Sequence, residues 1–382
     1  MQKIKILHIT WSADKAGMLT DIISVQKEDP ALTIDVCFGT MEGGMFYKKI
    51  RAMGIKPFVL GMRSKYNPIA NLLGAYRLRK IITKKNYDII HLQEAILPFP
   101  FLVATSTSLN TKIILHNRGE FHLADSFLQY LGQQLKKLVY KILVGSRVHR
   151  IICNSQFAVN RTPITKKHKN KMIVIYNAID LTVIERVLTD KAKYRLQLRK
   201  ELGVSEDTFI ISVVARLVMV KRIDRFIRAF ANVCLKNKHV LGLIVGDGPM
   251  RRNLEKSVKS IECNDRISFL GHRMDAKEIL AGSDISVLPS TGEAFGISAL
   301  EALALNVPVL VFKDVGGPTE FIVDGENGFI VKDEKDLITK INLLLNDNTL
   351  LTNLSRGINI QKEDFDITFY TEKIKQVYAS VI

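Results

Sequence analysis

Short runs of apolar residues alternate with amphipathic stretches along the whole chain. Ile4–Ile9, Thr33–Phe38, Pro57–Leu60, Asp88–Leu92, Lys112–Leu115, Arg150–Cys153 and Met172–Ile175 form a first series. Phe209–Ala215, Val240–Val245, Ile267–Leu270, Ile285–Leu288, Val307–Phe312 and Gly328–Val331 form a second. Runs of this length, spaced by helical segments, predict βαβ units and parallel sheets. Their near-continuous Ile/Val/Leu composition fits strands buried on both faces. Between about Asn177 and Ser205 a charged stretch without a strand run interrupts the series, and reads as the passage between two Rossmann-like domains. The pattern divides the chain into 1–180, 181–364 and a closing helix over 365–382, with Phe369, Ile374, Val377 and Tyr378 on its apolar side.

In open parallel sheets ligands bind beyond the carboxyl ends of the strands, so polar motifs just after the apolar runs are the places to look. Arg216 follows Phe209–Ala215, and Lys221 stands near the next helix start. A forked guanidinium and a compact ammonium together suit a diphosphate; the alternative is two solvated surface cations. Val240–Val245 runs into Gly246-Asp247-Gly248-Pro249. Arg251 occupies the place of a third glycine, so a tight turn that lets the next helix pack reads better than a dinucleotide fingerprint.

Ile285–Leu288 runs into a loop with Glu293, Phe295 and Gly296, and a helix begins near Ile297 and carries Glu301. Free amides at a helix start favour an anion, and Gly296 lets a ligand approach the backbone. A carboxylate at Glu301 suits the vicinal diol of a ribose, and one at Glu293 suits sugar hydroxyls. Without that use they are a first-turn glutamate and an exposed helical one. In the first half, Gly17 is the backbone-approach residue after Ile4–Ile9. His116, Arg118 and Glu120 follow Lys112–Leu115. A lone histidine is more often structural than catalytic, and Arg118 is the better candidate for an anionic group.

The net charge of +17 implies anionic partners: nucleotide phosphates, nucleic acid or an anionic membrane. The four cysteines, Cys37, Cys153, Cys234 and Cys263, are scattered and lack C-x-x-C spacing, so reduced thiols are expected rather than a zinc site or a disulfide framework. The N-terminal apolar run is too short for a signal peptide, and no run approaches the roughly 20 residues that span a bilayer. Over 127–150, leucines at helical spacing accompany Lys136, Lys137, Lys141, Arg147 and Arg150 without an acidic residue. That pattern fits a helix lying in an anionic membrane interface, or a core helix with its lysines in water.

Taken in order, "VARLVMVKRID", "VGDGP", "FLGH", "LPSTGEAFGISALEALALNVPVL", "VGGPTEFI" and "DGENGFIV" resemble the retaining group 1 (family 4) glycosyltransferases of polysaccharide biosynthesis. "NAID" at Asn177–Asp180 and "RGEF" at Arg118–Phe121 extend the resemblance into the first half. It implies the GT-B fold, two Rossmann-like parallel-sheet domains facing each other across a cleft. It implies that Glu301 holds the donor ribose. Glu293 and the backbone of Phe295, Gly296 and Ile297 would engage the transferred sugar. Arg216 and Lys221 would neutralise the leaving diphosphate, with Gly17, Gly246 and Gly248 near the donor and His116, Arg118 and Glu120 on the acceptor side.

The implied reaction retains configuration and uses neither metal nor cofactor, with a UDP- or GDP-sugar as substrate. The acceptor would be a lipid-linked, lipopolysaccharide, capsule or exopolysaccharide glycan. The expected setting is the cytoplasmic face of the membrane, reached through 127–150. The family's Glu and Gly beside the diphosphate lysine are Val220 and Arg222 here, and Ala16 replaces one glycine of the first loop. Two rivals make different predictions. A sugar-nucleotide 2-epimerase of the same fold needs no acceptor. A nucleic-acid binder, suggested by charge alone, leaves Glu293 and Glu301 without a role; nucleic acid is therefore not an expected partner.

Overall fold

A computed structural model of the chain describes residues 3–12, 17–40, 44–62, 68–93, 103, 107–118, 138, 146–162, 166–356 and 362–382. They belong to two compact units, Met1–Ala178 with Ile367–Ile382, and Ile179–Asp366. The first unit holds a seven-stranded sheet in the order β3-β2-β1-β4-β5-β6-β7. Its strands are β1 (Ile4–Ser12), β2 (Leu32–Thr40), β3 (Phe58–Val59), β4 (Ile89–Leu92), β5 (Lys112–Asn117), β6 (Arg150–Cys153) and β7 (Met172–Val174). The second holds a six-stranded sheet, β10-β9-β8-β11-β12-β13. Its strands are β8 (Phe209–Val214), β9 (Val240–Val245), β10 (Ile267–Gly271), β11 (Ile285–Leu288), β12 (Val309–Phe312) and β13 (Gly328–Val331). Every strand pairing is parallel.

Each apolar run of the sequence carries one of these strands. The reason is burial on both faces: all of β4, β9, β11 and β12 lies out of solvent, which removes the polar alternation of a half-exposed strand. Side chains such as Ile211, Phe226, Phe230 and Leu310 in the second core are fully buried. Burying one such side chain contributes about 1.5–3 kcal/mol.

The charged stretch after Asn177 is not a bare passage. It forms helices Leu181–Thr189 and Lys191–Leu202 of the second unit. Asp180 caps the first by accepting from the Val183 amide at 3.1 Å. In the second, Arg199 is almost completely buried and donates to Asp284 Oδ2 (2.9 Å) and to the carbonyls of Gly282 (2.9 Å) and Thr208 (2.8 Å). Arg195 bonds the other Asp284 oxygen at 2.5 Å. Two charges of this stretch, Arg195 and Arg199, are thus partners of an aspartate far away in sequence.

The closing helix, Ile367–Ala379, belongs to the first unit and packs Tyr370, Ile374, Val377 and Tyr378 against Ile6, Ile89, Ile114 and Ile152. Phe369, expected on its apolar side, is instead 40% exposed, with Lys373 over its ring. One residue before Tyr370 is a turn of about 100° away from the buried stripe. Cys234 and Cys263, 29 residues apart in sequence, come side by side in the second core with their Cα atoms 6.4 Å apart, while Cys37 and Cys153 are free and buried.

Candidate active site

In the second unit the strand order reverses at β8, which pairs with β9 on one side and β11 on the other. Such a switch point leaves a crevice at the carboxyl ends of the two strands. The loops that leave β8 and β11 carry Arg216, Lys221 and Glu293. Arg216 follows β8 and is exposed. Lys221 ends a short helical turn, Met219–Lys221, and Arg222 takes a left-handed conformation (φ 47°) that turns the chain into helix Ile223–Lys236. The Lys221 ammonium meets the Glu293 carboxylate in an ion pair, both side chains being about four-fifths shielded. Two residues separated by 72 positions are thus in contact.

Backbone bonds hold the loops in this arrangement. The Thr291 amide donates to Val220 (2.9 Å) and the Gly292 amide to Asp314 (3.0 Å). The Glu293 amide donates to Val315 (2.6 Å) and the Gly317 amide to Glu293 (2.9 Å). Asp314 adds side-chain ties: Arg225 donates to both its oxygens at 2.8 Å, and Thr291 Oγ1 to one at 3.0 Å. The Arg225 hydrogen bond holds the Asp314 carboxyl below the usual carboxylate range. A Cβ on Gly317 would lie 1.9 Å from the Ala294 carbonyl oxygen, so only glycine lets the loops after β11 and β12 come this close.

Gly296 (φ 81°) opens helix Ile297–Ala304. The amides of Ile297 and Ser298 begin that helix, where no intrahelical acceptor is available. Glu301, within it, accepts from Lys277 at 2.9 Å and is not in the Lys221 pair. The Phe295 ring is buried against Phe321 and Phe365, with centroids 5.2 and 6.2 Å away. Only its backbone can serve a ligand. That also accounts for Phe365 in the Asp364-Phe365-Asp366 segment, as core.

Gly246 and Gly248 are close-approach glycines, but the backbone they approach is the chain's own. Added Cβ atoms would lie 2.0 Å from the Ala215 oxygen and 2.4 Å from the Leu217 oxygen. Leu217 in turn donates to Asp247 at 2.9 Å. This turn therefore positions the Arg216 loop. A cavity of about 620 Å³ touches Arg222 and Asp314 but contains none of Arg216, Lys221, Glu293 and Glu301.

The first-unit candidates lie at the ends of other strands. Gly17 begins helix Gly17–Lys27 after β1. Arg118, just past β5, donates to Gln93 Oε1 at 2.9 Å, and Gln93 contacts His8 Nδ1 at 2.9 Å. His116 is fully buried, and its ring stacks on His91, with centroids 5.6 Å apart. His91 bonds the Tyr378 hydroxyl (2.8 Å), and His8 bonds Gln26 (3.0 Å). Burial, with the Arg118 charge acting in the same direction, pushes His116 well below the ordinary histidine range. This is the environment of a core histidine, the alternative reading of that position. Glu120 and most of 127–150 fall outside the described residues; of that basic stretch only Leu138 and 146–150 are described.

Asp314, Arg225 and Lys277 were not found from sequence. Lys277 has no motif around it, and Asp314 was visible only as part of the Gly316-Gly317 turn. Among the described residues no group of three or more His, Cys, Asp or Glu could hold a metal ion.

Residues 195–359 match the family model "Glycosyl transferases group 1", and residues 31–183 match "Glycosyltransferase Family 4". The chain is 29% identical over 320 residues to the N-acetyl-alpha-D-glucosaminyl L-malate synthase of Bacillus anthracis, covering 82% of this chain and 79% of that protein. It is 27% identical to the N,N'-diacetylbacillosaminyl-diphospho-undecaprenol alpha-1,3-N-acetylgalactosaminyltransferase of Campylobacter jejuni, covering 88% and 89%. Its fold is similar to that of Anabaena HepE, solved in complex with UDP, with a TM-score of 0.80, 22% identity, and 99% and 100% of the two chains covered.

Proposed function

This chain belongs to the group 1 glycosyltransferases, and we propose that its substrates are a nucleotide-diphosphate sugar and a membrane-borne, lipid-linked glycan. The group moved is a hexosyl or N-acetylhexosaminyl unit. The observation that carries the reading is the meeting of Lys221 and Glu293 at the switch point, on the loops that also carry Arg216 and lead into the helix that bears Glu301. A diphosphate set between Arg216 and Lys221 places its growing negative charge against two cations. That charge is greatest as the bond to the sugar breaks, so the cations stabilise the transition state more than the bound donor. Glu301 holds the ribose diol, and Glu293 and the backbone of 295–297 hold the sugar. In the step itself, the bond from the anomeric carbon to the diphosphate oxygen breaks, the acceptor hydroxyl oxygen bonds that carbon, and one proton is released. Retention at that carbon and independence from metal complete the proposal, and Arg216 and Lys221 supply the charge neutralisation that such a reaction needs.

Relatives named for diphospho-undecaprenol acceptors support the acceptor class. UDP in a structural neighbour supports a uridine donor ahead of a guanosine one. Work at the cytoplasmic face of the membrane follows from such an acceptor, and no helix among the described residues is long and apolar enough to cross a membrane. Incubating the protein with UDP-sugars, a lipid-linked glycan and EDTA tests this. A mass increase of one sugar on the acceptor, with an axial new linkage by NMR coupling, is expected. Release of an isomerised sugar nucleotide without acceptor would point to the epimerase instead.

A further inference from the structure

We propose that helix Pro68–Lys85 docks the first unit onto an anionic lipid bilayer. The helix has an inner and an outer face. Leu78 and Ile82 are buried in the core of the unit, and Gly74 brings the helix against Met62, whose side chain would lie 2.4 Å from an added Cβ. On the outer face Leu72 is 74%, Leu73 53% and Tyr76 66% exposed. No other helix among the described residues turns three large apolar side chains to solvent.

The same helix carries Arg77, Arg79, Lys80, Lys84 and Lys85 and no acidic residue. Arg77 donates to the Leu60 carbonyl and Lys85 pairs with Asp35. Arg79, Lys80 and Lys84 have no acidic partner among the described residues. At about 100° per residue, Leu72, Leu73, Tyr76, Arg79, Lys80 and Lys84 fall within an arc of about 140°. One face thus presents a large apolar group at its first turns and unpaired cations at its last.

Each half of that face excludes a simpler occupant. A solvated helix has no use for Leu72, Leu73 and Tyr76 in water, and contiguous exposed apolar surface marks an interaction site. A nucleic acid would use the cations but not the leucines. A second copy, meeting the same face by two-fold symmetry, would set the cations against the apolar group or against each other, and neither arrangement supplies them with an anion. An interface of acyl chains and anionic headgroups takes both halves together: the leucines and tyrosine enter the boundary and the cations lie on the phosphates. The helix is separate in sequence from the basic stretch 127–150. It deepens the reading of a membrane-borne acceptor and rests on that reading for its purpose, though its physics stands apart from the donor site.

The test is co-sedimentation of the full chain with phosphatidylcholine vesicles made with or without phosphatidylglycerol. Two variants are compared with the parent: Leu72→Ser/Leu73→Ser/Tyr76→Ser, and Arg79→Glu/Lys80→Glu/Lys84→Glu. All these side chains are exposed, so both variants should fold, and unchanged thermal unfolding checks that they do. The expected result is binding of the parent only when phosphatidylglycerol is present, and a loss of at least about tenfold in partitioning for each variant. Parent-like binding by both variants would overturn the proposal. So would equal binding to vesicles without phosphatidylglycerol, or a variant that alters oligomeric state and leaves vesicle binding intact. UDP binding measured on the same samples reports on the donor reading separately, since that reading can fail while docking holds.

Discussion

Acidification from about pH 7 to about pH 5 should weaken the first unit through its buried histidines. His8, His91 and His116 sit on the adjacent strands β1, β4 and β5, each with no exposed surface. Burial is the main cause that lowers His8 from 6.5 to about 4, opposed by its hydrogen bond with Gln26 and assisted by the Arg118 charge. The folded state therefore stays neutral while the unfolded chain takes up a proton. This contribution is complete above the unfolded value of 6.5 and is lost as pH falls from there towards 4. At pH 5 the unfolded histidine is about 1.5 units below its midpoint, which costs about 2 kcal/mol per site. His91 and His116 are lowered in the same direction, burial again first. They add to the about 2 kcal/mol from His8, itself a sizeable part of the 5–15 kcal/mol that holds a domain together. Half-buried His149, which accepts from the Ile113 amide, adds a smaller effect of the same sign.

Urea titration followed by fluorescence isolates this effect. Trp11, the single tryptophan, lies in β1 and reports on the first unit. Its midpoint should fall steeply between pH 7 and pH 5, above the range in which ordinary carboxylates titrate. A Trp11 midpoint that does not move across that window would refute the reasoning.

In the second unit, Arg199→Met leaves Asp284 buried beside Arg195 alone and should lower stability by about 3–5 kcal/mol in chemical denaturation; a loss below about 1 kcal/mol would mean the ion pair is not buried as described. Gly246→Ala places a Cβ 2.0 Å from the Ala215 oxygen at φ 134°, so it should displace the Arg216 loop and weaken UDP binding about tenfold, read by calorimetry. Unchanged affinity would separate that turn from the site. Glu293→Gln removes the carboxylate that competes with a diphosphate for Lys221. UDP alone should bind about fivefold more tightly while sugar transfer falls at least about a hundredfold; weaker UDP binding would show that Glu293 positions Lys221 rather than competing for it.

The strands were readable because parallel strands covered on both faces are continuous apolar runs, as in β9 and β12. The candidate site was readable for a different reason: its residues follow strand ends in a fixed order. What was lost depended on partners distant in sequence. Nothing near Arg199 in sequence marks it as buried, because its partner Asp284 is 85 residues away. Gly246 and Gly248 read from the residues alone as a tight turn, and the turn packs on the backbone of Ala215 and Leu217. Cys234 and Cys263 showed no spacing motif because the fold, not the local chain, brings them together. The outward face of Pro68–Lys85 was hidden because its leucines fit a core helix equally well until their exposure is known.

The most direct test is calorimetric titration with UDP, GDP and ADP, their nucleosides and their 2′-deoxy forms, in EDTA, on the parent protein, Arg216→Ala and Glu301→Ala. The parent should bind one of the three nucleoside diphosphates. Arg216→Ala should weaken binding of the diphosphate but leave the nucleoside's contribution, and Glu301→Ala should erase the preference for ribose over 2′-deoxyribose. Equal binding by the parent and both variants would contradict the placement of the donor at the β8–β11 switch point.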